Sequence, residues 1–245
     1  MGLIEQEVFG ANLISKISEI SGSYEITSNN DRIDAILDII EDYGFEEIGS
    51  GTNRTCVYNK DFGEDVCFKI AVDGRGERDN NLETFLCRDE ILKPYVPEVY
   101  DNTGLILAQR RFKDMTRKKF KKHKDECEEI IHYLSKYFLI DDAGPLVWNN
   151  WGLDENNNPK IIDYAYFTRL DNLINIRCKK CGGKLLYDKN LTYMKCKKCG
   201  RRHTFAELKG QYIADPLVEA GFKMFDSEYK TVDKDRAAIE AWLNS

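Results

Sequence analysis

The chain has 245 residues, of which 42% are hydrophobic and 32% are charged, as is usual for a globular protein. It carries a net charge of −6, has no apolar run of the roughly 18 residues that a membrane span needs, and begins without the basic and apolar segments of a signal peptide. We therefore expect a cytoplasmic protein with no membrane partner, whose eight cysteines are thiols rather than disulfides.

The hydrophobic pattern predicts a mixture of helices and strands. Residues 11–43 have apolar side chains three and four apart, which predicts helices, with Asp31 as an N-cap and Gly44 after the last helical turn. Residues 44–72 are typical of strands separated by a glycine-rich turn and a hairpin turn. The later predicted elements are a helix (78–92), two short strands (97–101 and 104–112), an amphipathic helix (125–139), a hairpin (151–167) and a last helix (233–245).

Polar residues suited to phosphate chemistry occur at intervals along this pattern. The first strand leads into a glycine-rich loop, whose backbone N–H groups can approach phosphate oxygens closely; it consists of Gly49, Ser50, Gly51 and Thr52. Lys69 lies in the middle of a later strand, and Glu83 lies in the helix that follows. Asn150 and Asp163 stand near the two ends of the predicted hairpin.

In their order and spacing these residues resemble the protein-kinase-like family, most closely its small phage-encoded members. The resemblance implies an α+β fold with two lobes that binds ATP and Mg²⁺ and transfers a phosphoryl group to an unknown protein or small-molecule acceptor. It implies that Lys69 contacts the phosphates, that Glu83 pairs with Lys69, and that Asn150 and Asp163 hold magnesium. The strand at 104–112 would lead into the segment that receives the adenine.

The chain departs from the family pattern at several positions. Arg54 replaces the third glycine of the loop, and Pro145 stands where the family has its catalytic aspartate. The nearest preceding acids are Asp141 and Asp142, and we expect Asp142 or Asp141 to orient the acceptor hydroxyl. A literal Asp-Phe-Gly at 61–63 is interpreted as a hairpin turn. These departures keep open the alternative of a catalytically weak pseudokinase that regulates by binding nucleotide or protein.

Four cysteines near the C-terminal end predict a structural zinc site. Two Cys-x2-Cys pairs are separated by fourteen residues, a spacing typical of a tetrahedral zinc ribbon; they are Cys178, Cys181, Cys196 and Cys199. A glycine follows the second cysteine of each pair, Gly182 and Gly200, where a tight turn is required. Because four thiolates fill the coordination shell, we expect His203 to be a bystander and the zinc to be structural rather than catalytic.

Basic residues are concentrated in two segments. Residues 110–124 hold nine Lys and Arg against one acid, and residues 177–202 hold ten against one, which leaves 17 basic and 40 acidic residues elsewhere. Such runs usually form solvated faces. The alternative is a nucleic-acid-binding protein that uses Arg110–Lys124 and the ribbon.

The sequence therefore predicts an α+β, two-lobed protein-kinase-like fold with an abbreviated C-terminal lobe and an inserted zinc ribbon, located in the cytoplasm (the host cytoplasm if phage-encoded). The expected cofactors are ATP, Mg²⁺ and Zn²⁺. The predicted divisions are an N-terminal helical segment (1–43), an N-lobe (44–112), an abbreviated C-lobe with the catalytic and metal loops (113–175), the ribbon (176–207) and a C-terminal helical segment (208–245).

Overall fold

The computed structural model describes residues 8–140, 147–169, 177–187 and 194–203. The chain divides into two compact units, one formed by Met1–Cys127 and Gly144–Ala165 and the other by Glu128–Ala143 and Tyr166–Ser245. Within the described ranges, no helix is long and apolar enough to cross a membrane. The predicted α+β class is confirmed, since helices are combined with antiparallel sheets.

The secondary structure alternates short helices and short strands. The helices are α1 (Gly10–Gly22), α2 (Asn29–Glu41), α3 (Gly74–Leu86), α4 (Arg117–Lys122) and α5 (Lys124–Leu134). The strands are β1 (Glu46–Ser50), β2 (Arg54–Tyr58), β3 (Val66–Ala71), β4 (Val99–Asn102), β5 (Ile106–Arg110), β6 (Lys113–Asp114), β7 (Phe138–Ile140), β8 (Trp151–Leu153), β9 (Pro159–Ile161), β10 (Phe167–Arg169), β11 (Leu185–Tyr187), β12 (Met194–Cys196) and β13 (Arg202–His203).

Among the described residues, each unit contains two sheets. The first unit has a five-stranded sheet in the order β1-β2-β3-β5-β4 and a three-stranded sheet in the order β6-β8-β9. The second unit has a two-stranded sheet of β10 and β7 and a three-stranded sheet in the order β11-β12-β13. All of the strand pairings are antiparallel among the described residues.

Helices α1 and α2 cover one face of the five-stranded sheet. Their apolar side chains recur at helical spacing and are buried: Leu13 and Ile17 on α1, and Ile33, Ile36 and Ile40 on α2. They join Phe68 and Ile70 of β3 in one hydrophobic cluster. Each such buried side chain stabilises the fold by roughly 1.5–3 kcal/mol relative to exposure. This face of the sheet is therefore the main core of the first unit.

Helix α3 differs from α1 and α2 because the side chains that it buries are mostly polar. Asp79, Asn80 and Glu83 are buried together with Leu86. The helix lies close to the loop before β2: a Cβ added to Gly76 would come within 2.2 Å of the Asn53 carbonyl oxygen. Only glycine fits there, so Gly76 sets the position of α3 beside β2 and β3.

Several predicted element bounds are wrong. Helix α2 begins at Asn29 with Ser28 at the N-cap position, so Asp31 lies in the first turn rather than at the cap. Helix α3 begins at Gly74, because Asp73 caps it by accepting bonds from the N–H groups of Arg75 and Gly76, and it ends at Leu86. The helix predicted for 125–139 ends at Leu134, because Phe138–Ile140 pairs with β10 as a strand. The predicted C-terminal helix lies outside the described residues.

Candidate active site and metal centre

Lys69 is positioned by the alternation of side chains along β3. Phe68 and Ile70 face the core under α1 and α2, so Lys69 points to the opposite face of the sheet, toward α3. Its Nζ donates to Glu83 Oε2 at 2.6 Å and to the carbonyl oxygen of Ile162 at 2.6 Å. The structure therefore brings together the lysine and the glutamate that the sequence singled out.

Glu83 is the buried centre of a charge cluster. Its side chain is fully buried and accepts a bond from Lys69 on one oxygen and from Arg54 on the other, at 2.8 Å. Burial alone would raise the pKa of the Glu83 carboxyl, but the charges of Arg54 and Lys69 outweigh burial and lower that pKa below its usual value. Glu83 is thus held as a carboxylate between two cations.

Asp163 is joined to the same cluster through Arg54. One guanidinium nitrogen of Arg54, Nη2, lies 3.0 Å from Asp163 Oδ1 as well as 2.8 Å from Glu83 Oε1. The Asp163 side chain is 36% exposed, whereas that of Arg54 is 11% exposed. Burial raises the pKa of the Asp163 carboxyl, and the nearby charges of Arg54 and Lys69 offset that effect only in part.

Asn150 and Asp163 lie at the base of the hairpin formed by β8 and β9. The Ile162 N–H donates to the Asn150 carbonyl oxygen at 2.9 Å. This bond closes the base of the hairpin, where Asn150 and Asp163 are the two predicted magnesium ligands. The next residue, Tyr164, is fully buried, and Lys69 Nζ lies 5.9 Å from the centre of its ring. The hairpin thus places Asp163 beside Lys69 while Asn150 stays partly exposed at its start.

The predicted glycine-rich loop is only partly a loop: Gly49 and Ser50 are the last residues of β1 and pair with β2, and Gly51 and Thr52 lie in the hairpin turn between the two strands. The four predicted phosphate-binding residues, Gly49, Ser50, Gly51 and Thr52, are all exposed. The Gly51 N–H donates to the Arg54 carbonyl oxygen at 2.8 Å, and Asn29 of α2 donates to the Thr52 carbonyl oxygen at 2.8 Å. Hydrogen bonds therefore hold Gly51 and Thr52 in place, and Arg54, whose side chain enters the charge cluster, follows two residues later.

Other predicted positions lie away from this cluster. Asp141 and Asp142 lie outside the described residues. Asp61 is exposed within a short 3-10 helix, Lys60–Phe62, that is followed by Gly63 with a φ of 101°, so the literal Asp-Phe-Gly forms a turn as expected. Phe62 lines a cavity of about 460 Å³ together with Phe68 and Ala108, on the face of the sheet opposite Lys69.

Sequence reasoning missed three members of the cluster: Arg54, Asp79 and Asn80. Asn80 Oδ1 lies 3.3 Å from an Arg54 nitrogen, and its amide donates to the Gly104 carbonyl oxygen at 2.7 Å. Burial raises the pKa of the Asp79 carboxyl, partly offset by Arg54. Asp79, Asn80 and Glu83 recur three and four residues apart, and this buried polar stripe on a helix after the lysine strand is a signal that could have revealed them.

The four predicted cysteines form a second cluster, in which Cys196 ends β12 and the other three lie outside the strands of the β11-β12-β13 sheet. Their sulfur atoms all lie within 4.8 Å of one another. The Sγ atoms of Cys178 and Cys199 are 3.6 Å apart, and those of Cys181 and Cys196 are 3.5 Å apart. Four sulfurs around zinc at about 2.3 Å are separated by about 3.8 Å in a tetrahedron. The site can therefore hold a metal ion and is compatible with zinc.

The backbone around Cys196 favours the thiolate form of that residue. The backbone N–H groups of Cys199 and Lys198 donate to Cys196 Sγ, and these bonds lower the pKa of the Cys196 thiol to about 6. Gly182 and Gly200 have φ values of 66° and 71°, which confirms the expected turns. His203 is buried with its Nε2 3.2 Å from Cys178 Sγ, so it contacts a ligand sulfur.

In comparisons with known proteins, no family model and no curated protein sequence matches this chain. The functional assignment therefore depends on the geometry of the two clusters.

The basic segment 110–124 divides into residues with structural contacts and residues without them. Arg110 pairs with Glu155 at 2.8 Å, and the Arg111 guanidinium lies 3.9 Å from the centre of the Tyr58 ring. On α4, by contrast, three exposed lysines form no ion pair with any described residue: Lys118, Lys121 and Lys122. The α4 part of the segment is therefore an exposed basic surface.

Proposed function

We propose that this chain is an ATP- and Mg²⁺-dependent phosphotransferase with a two-lobed, protein-kinase-like fold, an abbreviated C-terminal lobe and a zinc ribbon. The observation that carries the proposal is the pair of Lys69 with a fully buried Glu83 within hydrogen-bond reach of the hairpin that presents Asp163. A buried carboxylate that orients a lysine next to a partly exposed aspartate suits the binding of a metal-bound phosphate. The acceptor is a protein or a small molecule.

Each group has a chemical role in this proposal. Lys69 donates to the nucleotide phosphates, and Glu83 keeps its ammonium group in place. Asn150 and Asp163 supply the oxygen ligands that Mg²⁺ prefers, and this ion typically takes one or two carboxylates in addition to phosphate oxygens. Bound Mg²⁺ would neutralise charge that develops on the transferred phosphoryl group. Asp142, or Asp141, would accept a hydrogen bond from the acceptor hydroxyl and orient it.

We expect ATP with Mg²⁺ to raise the melting temperature of the protein, and Asp163→Asn to abolish that shift. Asparagine keeps the size of the side chain but removes the charge that attracts the metal. The matched control is Asp61→Asn, at the exposed Asp-Phe-Gly turn, which should leave the shift intact. An equal loss in Asp61→Asn would show that the metal site is misassigned.

Variants of Asp142 and Asp141 test catalysis. Phosphate transfer from ATP to water, to the protein itself and to a panel of acceptors should be lost in Asp142→Asn while nucleotide binding persists, with a smaller loss in Asp141→Asn. Binding of ATP with Mg²⁺ but no transfer by the wild-type protein would favour the pseudokinase alternative. The Arg54–Asp163 ion pair is the observation that favours this alternative, because it occupies the carboxylate needed for the metal.

A second candidate function is nucleic-acid binding through the ribbon. The described ribbon residues, 177–187 and 194–203, contain nine Lys and Arg and no Asp or Glu. Opposite charge attracts the phosphate backbone without any base-specific contact. This charge imbalance is independent of the Lys69 cluster, so both functions can reside in one chain.

We expect zinc-loaded protein to bind a fluorescent 20-nucleotide single strand, with an affinity that falls as salt rises. Replacing four exposed basic residues of the ribbon by Gln (Lys195, Lys197, Lys198 and Arg201) should reduce the slope of log affinity against log salt by about three. Gln at Lys118, Lys119, Lys121 and Lys122 tests the α4 segment in the same way. Fluorescence anisotropy measures both slopes, and an absence of binding at low salt would leave the two segments as solvated faces.

A further inference from the structure

Arg54 stands at the position where the family resemblance calls for a glycine, and it fills space that a glycine would leave empty. The guanidinium lies 2.8 Å from Glu83 Oε1 and 3.0 Å from Asp163 Oδ1, and a second nitrogen lies 3.3 Å from Asn80 Oδ1. Two carboxylates from separate elements, α3 and the end of the β8–β9 hairpin, thus meet on one cation supplied by β2.

The fold fixes this position of Arg54 through its neighbours. Arg54 pairs in register with Ala71 at the end of β3, and the Val72 N–H donates to the Asn53 carbonyl oxygen at 3.0 Å. The absence of a side chain at Gly76 allows α3 to approach that carbonyl. Burial would lower the pKa of the Arg54 guanidinium, but the charges of Glu83, Asp163 and Asp79 raise it, so Arg54 remains a cation.

We propose that Arg54 is an internal counter-ion that occupies the divalent-metal position beside Asp163 and must leave it before a metal–nucleotide complex can bind. With Arg54 in place, its guanidinium covers the carboxylate oxygens of Glu83 and Asp163 that a divalent ion would need. Arg54 and Lys69 together also offset most of the negative charge of Glu83, Asp163 and Asp79, so the cluster attracts a divalent ion only weakly. Removal of the Arg54 charge makes the cluster more negative by one unit and uncovers the carboxylate oxygens of Glu83 and Asp163. Two neighbouring carboxylates attract Mg²⁺ or Mn²⁺.

The counter-ion makes metal binding depend on nucleotide. A nucleotide phosphate competes for the guanidinium, which binds phosphate and carboxylate oxygens in the same bidentate manner. Transfer of Arg54 from Asp163 to a phosphate releases the carboxylate for the metal, so each ligand increases the affinity for the other. The release of Arg54 by a nucleotide rests on the proposed phosphotransferase function, because that function supplies the identity of the nucleotide. The competition between Arg54 and a metal ion does not depend on the proposed function.

The test is titration of zinc-loaded, nucleotide-free protein with Mn²⁺, with free Mn²⁺ measured by electron paramagnetic resonance. Arg54→Gln removes the charge and should bind Mn²⁺ about tenfold or more tightly than the wild type, since a unit charge next to a divalent ion is worth at least that factor in a partly buried site. Arg54→Lys keeps the charge and should have an affinity close to that of the wild type. Adding Asp163→Asn to Arg54→Gln should abolish the gain.

Arg54→Met is the second neutral variant if Arg54→Gln does not fold, as judged by circular dichroism. A folded neutral variant with wild-type Mn²⁺ affinity would overturn the proposal, and so would a gain that survives Asp163→Asn. The Mn²⁺ titration contains no ATP, so its result does not depend on whether the protein is a phosphotransferase. The proposed function is tested separately, by the ATP-dependent shift in melting temperature. If Arg54→Gln binds Mn²⁺ more tightly but the protein does not bind ATP, the counter-ion role of Arg54 would be supported and the proposed phosphotransferase function would be rejected.

Discussion

Removal of the metal from the four-cysteine site is expected to unfold the ribbon. The described ribbon buries few apolar side chains, among them Leu185 and Met194, and its strands are two or three residues long. A fold of this size has too small a core to be stable alone, so metal-binding energy, about 10–16 kcal/mol for such sites, is also folding energy. Elemental analysis should find about one zinc per chain.

The unfolding can be measured by limited proteolysis. Cys178→Ser should make the ribbon susceptible to trypsin, which cleaves at its many lysines, and a strong chelator should have the same effect on the wild type. The matched control is Cys87→Ser, since Cys87 is partly exposed on the first unit and lies outside the sulfur cluster. Metal-free protein with an unchanged cleavage pattern would contradict a structural metal.

The metal centre could be predicted because its signal is local. The spacing of each cysteine pair and the glycine after it already determine a turn that directs two sulfurs to one point, and the positive φ of Gly182 and Gly200 agrees with this. The strands of the ribbon are set differently: β12 runs from Met194 to Cys196 and pairs with β11 and β13. Strand bounds depend on partners, which a local pattern does not contain.

In the first unit, the sequence predicts the pair of Lys69 and Glu83 but not the contacts of Arg54 with Glu83 and Asp163. Lys69 and Glu83 were singled out from a strand and a following helix, and alternation along β3 is sufficient to turn Lys69 toward α3. Arg54 was regarded only as a missing glycine. Its role depends on the register of β2 against β3 and on the reach of a long side chain across to Asp163, 109 positions further along the chain.

The start of α3 was missed for a physical reason as well. Gly74-Arg75-Gly76 is typical of a turn, since glycine weakens helices by about 1 kcal/mol relative to alanine. The helix nevertheless includes both glycines, because Asp73 caps it and because Gly76 alone permits the approach to Asn53. Tertiary packing thus overrides local propensity at the point where α3 meets the candidate site.

Glu83→Ala is expected to have the largest effect on the stability of the first unit. The fully buried Glu83 carboxylate accepts bonds from Lys69 at 2.6 Å and from Arg54 at 2.8 Å, so its removal leaves two cations that are almost buried. Among the described residues, Arg54 would then keep one carboxylate in direct contact, Asp163, whereas Lys69 would keep only the Ile162 carbonyl oxygen. Breaking a buried ion pair from one side costs about 3–5 kcal/mol. Glu83→Gln keeps the shape of the side chain and one acceptor oxygen, so one of the two cations loses its acceptor and faces the amide NH2 group instead. It should cost less than Glu83→Ala, about 1–3 kcal/mol.

Denaturant unfolding measures these losses, with Glu90→Ala, at an exposed position, as a control that should be near neutral.

The pH dependence of the free energy of unfolding separates the effect of the Glu83 charge from the effect of its shape. Because the pKa of Glu83 is lower in the folded protein than its usual value, its contribution is present above the unfolded pKa and is lost as pH falls through the folded pKa. The wild type should therefore lose stability in acid through this group, whereas Glu83→Gln should lack that part of the loss. If Glu83→Ala cost no more than Glu90→Ala, the carboxylate would not hold Lys69 and Arg54 together, and both the phosphate-binding role of Lys69 and the counter-ion role of Arg54 would lose their common support.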